Sequence, residues 1–80
     1  MNILAIRREP LATDVEVFDG SLRLTLLDGR QVSAPLAWFP RLVSATDAER
    51  KNWRLIGGGI GVHWPALDED ISVDSLLAPR

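Results

Sequence analysis

The residues best suited to chemistry in this 80-residue chain lie in one short stretch, residues 63–72. It holds the single histidine, His63, and three consecutive acids, Asp68, Glu69 and Asp70. Carboxylates suit hard cations such as Mg²⁺ or Ca²⁺, and an imidazole can ligate a metal or carry a proton. Because alternate side chains share a face in an extended segment, a metal or small-ligand site would use His63, Asp68 and Asp70.

A structural interpretation of these residues is simpler, and we favour it. The ligand spacing of an EF-hand is absent, and aspartate is common in turns, where its carboxylate accepts backbone N–H bonds. We therefore expect residues 68–70 to form a solvated acidic turn. His63 lies between Val62 and Trp64, so in a strand it points to the opposite face, exposed or turned towards a partner.

Nucleophilic catalysis and phosphate binding have little support in the residue pattern. The chain has no cysteine, and Ser33, Ser72 and Ser75 stand in no nucleophile elbow. The glycine run at residues 57–61 lacks the Lys-Ser/Thr of a P-loop and the spacing of a dinucleotide fingerprint, so it predicts a hairpin turn. We expect a protein that is not an enzyme and uses no cofactor.

Charge and hydropathy narrow the classes of partner. Nine basic and eleven acidic residues give a net charge of −2, which disfavours nucleic-acid binding. Acids concentrate at Asp68, Glu69, Asp70 and Asp74, a cluster that would suit a basic partner surface. The apolar runs are too short to span a membrane, and the N-terminus has the charge order opposite to a signal peptide. These features predict a cytoplasmic protein.

Alternating side chains predict the sheet that must position these residues. Two hairpin signals, Asp19-Gly20 and Asp28-Gly29, separate three runs in which apolar and polar residues alternate. We expect a three-stranded antiparallel meander. Trp53 and Leu55, and then Ile60, Val62 and Trp64, alternate on either side of the glycine run and predict a second hairpin.

Short helices are indicated between and after these strands. Proline is favoured at the first helical position, so a short helix is expected near Pro40, with Trp38, Phe39, Leu42 and Val43 over the sheet. Thr46 and Glu49 form a capping-box pattern that predicts helix over residues 47–52. Asp74 is predicted to be the N-cap of a final short helix.

The tryptophans divide between core and surface. Each ring can bury roughly 200 Å², so Trp64, in phase with the apolar face of its strand, is expected in the core. Trp38 lies in a turn region beside Pro40, and an exposed indole there would be an anchor for a partner.

Together these elements predict an α+β fold: an antiparallel β-meander plus a second β-hairpin, with two or three short helices packed on one face. Eighty residues leave room for one hydrophobic core. We expect residues 1–12 to form an N-terminal arm or short strand, and residues 13–80 to form a single α+β domain.

Several motifs give the chain a family resemblance. They are Phe39-Pro40-Arg41-Leu42, the Thr46/Glu49 pair, and Trp64-Pro65-x-Leu67-Asp68-Glu69-Asp70-Ile71-Ser72 within a longer match that ends at Leu77. From about Thr13 to Ala78 the chain resembles a bacterial family, domain-of-unknown-function family 2442. The resemblance implies a small α+β fold, alone or fused to a helix-turn-helix domain, and frequent encoding beside another small protein, as in toxin–antitoxin pairs. It implies no activity, cofactor or catalytic residue.

Our leading hypothesis is a non-enzymatic protein-interaction module, the antitoxin-like member of a two-gene pair with a small protein partner encoded nearby. Its candidate contact residues are Trp38, His63, Asp68, Glu69, Asp70 and Asp74. An open strand edge would also allow a homodimer. The alternative is an accessory domain that binds a metal or small ligand through the His63/Asp68/Asp70 region.

Overall fold

Two three-stranded antiparallel sheets share one hydrophobic core in the computed structural model, which describes residues 10–78. The first sheet has the order β1-β2-β3, and the second has the order β4-β5-β6. The strands are β1 (Ala12–Phe18), β2 (Ser21–Leu26), β3 (Gln31–Pro35), β4 (Arg54–Ile56), β5 (Gly61–Trp64) and β6 (Glu69–Ser72). The α-helices are α1 (Pro40–Val43), α2 (Asp47–Lys51) and α3 (Val73–Leu77), and 3₁₀ turns cover Leu36–Trp38 and Pro65–Leu67.

The first sheet is the predicted meander. Leu22, Leu24 and Leu26 of β2 point into the core and are at most 2% exposed, as their alternation with polar residues requires. The β1–β2 connection is Asp19-Gly20, and both residues have positive φ, 51° and 73°. A type I′ hairpin needs left-handed conformations at both central positions, and this explains the Asp-Gly pair. The α+β fold class is confirmed.

The second sheet is larger than the predicted hairpin. β4 and β5 pair around the glycine run as expected, but β6 adds a third strand, with His63 opposite Asp70 and Val62 opposite Ile71. The solvated turn expected at residues 68–70 was therefore wrong in extent, because Glu69 and Asp70 already belong to β6. Burial of Ile71, which is 4% exposed, provides the apolar contact that draws this acidic segment into the sheet.

The helices follow their capping signals with one correction. Pro40 is the first residue of α1, and the Thr46/Glu49 capping box starts α2, with both reciprocal hydrogen bonds formed. The predicted N-cap of α3, Asp74, is wrong. Ser72 is the N-cap, since its hydroxyl accepts the N–H of Ser75 at 3.1 Å, and Asp74 lies in the first helical turn.

The α1 region packs on the sheet through fewer side chains than predicted. Leu42 is fully buried and Phe39 is partly buried against the core. Trp38 and Val43 are 45% and 48% exposed, so about half of each side chain remains at the surface. A helix this short presents only one narrow face to the sheet, and this leaves the remaining apolar side chains at the surface.

Two backbone hydrogen bonds connect the β4–β5 hairpin to other elements. The N–H of Ala12 donates to Gly59 at 2.7 Å, and the N–H of Val73 donates to Ile60 at 2.9 Å. Gly59 has φ +114°, and a Cβ there would lie 2.5 Å from the Ala12 carbonyl oxygen, so glycine is needed for this approach. The arm expected over residues 1–12 lies largely outside the described residues, although Ala12 already belongs to β1.

The shared core combines residues from both sheets and from two of the helices. The buried apolar residues are Ala12, Val15, Leu22, Leu24, Leu26, Leu36, Leu42, Val62, Trp64, Ile71 and Val73. Across residues 10–78, none of the helices has the length and hydropathy that a bilayer crossing demands.

Candidate interaction surface

Arg54, His63 and Asp70 form one row across the outer face of the second sheet. The strand register places Arg54 opposite His63 and His63 opposite Asp70. The Nδ1 atom of His63 forms a hydrogen bond with Oδ1 of Asp70, and their side chains are 29% and 67% exposed. The fold thus brings together two of the candidate residues, on the face opposite the buried Val62 and Trp64.

Asp68 does not join this pair. It ends the Pro65–Leu67 3₁₀ turn in the left-handed conformation, with φ 49°, which aspartate tolerates better than most residues. Its backbone carbonyl accepts a hydrogen bond from Nη1 of Arg41. Within residues 10–78, no three potential metal-ligating side chains come together. The described residues therefore do not assemble His63, Asp68 and Asp70 into one metal site.

The remaining candidate residues are spread over the surface around this sheet. Glu69 lies opposite Trp64 in the register of β5 and β6 and is partly exposed. Asp74 is exposed in the first turn of α3. Trp38 lies in the 3₁₀ turn after β3, and its ring is about half exposed. Apart from Trp38 and His63, the candidate residues lie just before β6, along β6 and at the start of α3, and they do not surround a single pocket.

The stretch from His63 to Ser72 is first of all a structural unit. Trp64 is fully buried, as predicted, and its indole N–H donates to the carbonyl of Arg50 at 3.0 Å. Pro65 begins the 3₁₀ turn, and Leu67 packs against the core. These contacts, with the burial of Ile71 and the cap formed by Ser72, give several positions of the Trp-Pro-x-Leu-Asp-Glu-Asp-Ile-Ser stretch a role in the fold.

Arg50 joins three elements, a role that the sequence did not reveal. Its Nε donates to the carbonyl of Leu42 at 2.8 Å, and its Nη2 donates to that of Val43 at 2.9 Å. These carbonyls lie at the C-terminal end of α1, where helical donors run out. The Leu42 carbonyl also accepts the N–H of Ala45 at 3.3 Å, and the guanidinium of α2 adds a donor to each carbonyl. The bond from Trp64 to the Arg50 carbonyl then connects α2 to β5. The sequence signal that could have indicated this role is an arginine in the last turn of a helix that begins with a capping box.

Apolar side chains remain exposed on the hairpin formed by β4 and β5. Leu55, Ile56 and Ile60 are 36%, 40% and 52% exposed. The Ile60 side chain covers Gly57, and Ile56 lies against Gly61. Because β4 is an outer strand of its sheet, these side chains lie beside a strand edge.

A groove of about 360 Å³ runs between β1 and α2. One wall is the β1 segment Val15–Val17, and the other consists of Asp47, Arg50 and Lys51 of α2. Trp53, just after α2, also lines the groove and is partly buried against the core. We call this the β1–α2 groove.

Two small sheets with short helices over a shared core define a small α+β domain. The family described as Protein of unknown function (DUF2442) matches residues 12–80, so the chain belongs to that family. The chain is also similar to a crystal structure of a protein of unknown function from Rhodospirillum rubrum ATCC 11170. The two share 26% identity with a TM-score of 0.74, over 88% of this chain and 87% of the other. No curated protein matches the chain.

Proposed function

We propose that this domain is a non-enzymatic module that binds another protein. The observation that carries the proposal is the exposed apolar hairpin of Leu55, Ile56 and Ile60 beside the outer strand β4. Exposed apolar side chains next to a strand edge are typical of surfaces that pair with other chains. The side chains of His63, Asp70 and Ser72, in contrast, form contacts within the fold.

We propose further that the partner is a small protein encoded nearby, and that this domain is the antitoxin-like member of the pair. The gene arrangement implied by the family resemblance supports this reading. The acids Asp68, Glu69, Asp70 and Asp74, with no basic residue between Arg54 and Arg80, favour a basic partner surface over nucleic acid. The proposal places the protein in the cytoplasm, and the β4 edge would also allow a homodimer.

Co-expression with the product of the neighbouring gene, followed by size-exclusion chromatography with light scattering, tests the proposal. We expect a complex. Ile60→Glu should weaken it, because the new carboxylate would be buried in the contact with the partner. Leu77→Glu, on an exposed leucine of α3, is the matched control and should not weaken it. A toxic neighbour should also lose its toxicity on co-expression. Absence of a complex, together with no rescue of growth, would contradict the proposal.

The contact between His63 and Asp70 favours one second candidate, an accessory metal- or small-ligand-binding domain. It supplies two side chains, and Asp68 would have to rearrange to provide a third. A thermal-shift screen with divalent cations tests this candidate, since a ligand at 100 times its Kd adds about 2.7 kcal/mol of stability. A shift that His63→Ala abolishes would support it, and no shift with any common cation would reject it.

A further inference from the structure

The longest strand described, β1, has one unpaired side. It pairs with β2, and within residues 10–78 no strand pairs with its other edge. Alternate residues of such an edge direct their N–H and C=O groups outward, where they can pair with an added strand. The β1–α2 groove follows this edge at residues 15–17, so an extended segment lying there could bond to β1 beyond Ala12, whose N–H already donates to Gly59.

The inner side of the groove is apolar. Val15 and Val17 point towards the core, and Trp53 is partly buried beside them. Of the α2 charges at the groove, Arg50 contacts Asp47 at 3.4 Å as well as the carbonyls that end α1, whereas Lys51 is exposed. Alternate side chains of an added strand would therefore meet apolar groups on this side.

The outer side of β1 is acidic. Asp14 and Glu16 share that face, and both are exposed. Glu16 is 3.4 Å from Arg23, whereas Asp14 forms no ion pair with any other residue of the described chain. Opposite charges in directly facing positions of adjacent strands are favourable. The side chains of an added strand that stand beside Asp14 and Glu16 would therefore be basic.

The same charges disfavour a second copy of β1 as the occupant. An antiparallel pair of β1 strands centred on Val15 would place Asp14 of each copy opposite Glu16 of the other. Like charges facing each other across strands are destabilising, so this edge opposes self-pairing. The added strand must come from a different sequence.

We infer that the β1–α2 groove binds an extended segment of a partner protein in which basic and apolar side chains alternate, added to the sheet beside β1. Main-chain hydrogen bonds would supply affinity, and the two faces of β1 would supply specificity. This inference rests on the proposed function and deepens it, because it adds a second contact surface to the β4–β5 hairpin and names the chemistry of the partner segment that this surface would take.

A short peptide of alternating lysine and valine is the probe, titrated into the isotope-labelled full chain and followed by NMR. We expect shifts concentrated in the amides of residues 13–18 and in the Trp53 indole. Glu16→Lys should weaken this peptide about fivefold and strengthen one of alternating glutamate and valine, because the facing charges are exchanged. Leu77→Lys also places a lysine on the surface, on α3 and away from the groove, and should alter affinity less than about twofold.

The control peptide has the same lysines and valines in two separate blocks, which removes the alternation and preserves the charge. Equal binding of both peptides, or shifts that map to another strand edge, would overturn the inference. Co-expression separates it from the proposed function. If the unaltered protein and its Glu16→Lys variant bind the neighbouring gene product equally, the groove assignment fails and the interaction role stands. If the unaltered protein forms no complex, the interaction role itself fails.

Discussion

Replacing Arg50 by methionine tests whether one side chain holds the two short helices together. Methionine keeps the unbranched stem and a similar helix propensity but removes every donor of the guanidinium. The bonds to the carbonyls of Leu42 and Val43, at 2.8 and 2.9 Å, are lost, and so is the contact with Asp47. The expected result is a large loss of stability from a residue outside the hydrophobic core.

The two carbonyl bonds dominate the expected loss. A hydrogen bond that involves a charged group contributes about 1.5–3 kcal/mol, and the Arg50 side chain is 22% exposed, so we use the lower end of this range. The Asp47 carboxylate is 89% exposed, and such a surface pair adds only about 0–1 kcal/mol. Because the Leu42 carbonyl keeps the Ala45 N–H as a donor, the loss of its bond to Arg50 costs less. We therefore expect Arg50→Met to lower the free energy of unfolding by about 2–3 kcal/mol, or Tm by about 10–20 °C.

Urea unfolding followed by circular dichroism measures this change. Lys51→Met, at the next residue of α2, is the matched control and should change stability by less than about 0.5 kcal/mol. Arg50→Lys keeps the charge but cannot bond both carbonyls in the same way, so it should fall between the two. If Arg50→Met costs no more than Lys51→Met, with an unchanged m-value, the proposed link between α1 and α2 is refuted.

Substitutions at three further positions test the core, one turn and one helix cap. Trp64→Ala should lower the free energy of unfolding by about 3–5 kcal/mol because it empties a fully buried site. Trp64→Phe should lower it by about 1–3 kcal/mol because the Arg50 carbonyl loses its donor. Thermal unfolding measures both changes, and an unchanged Tm would contradict them. The backbone of residue 68 has the left-handed conformation, so Asp68→Gly should be neutral or stabilising. Asp68→Val should lower the free energy of unfolding in urea by about 1–2 kcal/mol. Equal effects of the two substitutions would refute this reasoning. Thr46→Ala should cost about 1 kcal/mol, and amide exchange in α2 should quicken; no change would mean that the capping box contributes nothing.

Local patterns were sufficient to predict most of the elements. The Asp19-Gly20 turn, the alternating leucines of β2 and the Thr46 capping box each depend on neighbours in sequence. Burial of Trp64 followed from its phase within a strand. Such features are set by backbone preferences and by the period of the apolar side chains, so a single sequence contains them.

The third strand of the second sheet, β6, could not be predicted from local sequence patterns. Glu69 and Asp70 are poor strand formers, and their composition indicated a turn. They join β6 because Ile71 is buried by other parts of the chain and because His63 faces Asp70 across the sheet. The N-cap of α3 is Ser72 and not the predicted Asp74 for a related reason. Strand β6 ends at Ser72, and α3 begins at the next residue.

The sequence by itself determined the α+β class, the meander and the family resemblance, because these follow from short-range periodicity and from motifs of adjacent residues. Only the tertiary structure decided which parts of the chain come together. It brings the Arg50 guanidinium to the end of α1, His63 to Asp70, and β1 to α2 around a groove. Such contacts join separate elements of the fold, seven or more residues apart in the chain. Their geometry depends on how the two sheets and the short helices pack around one core, and no local pattern encodes that packing.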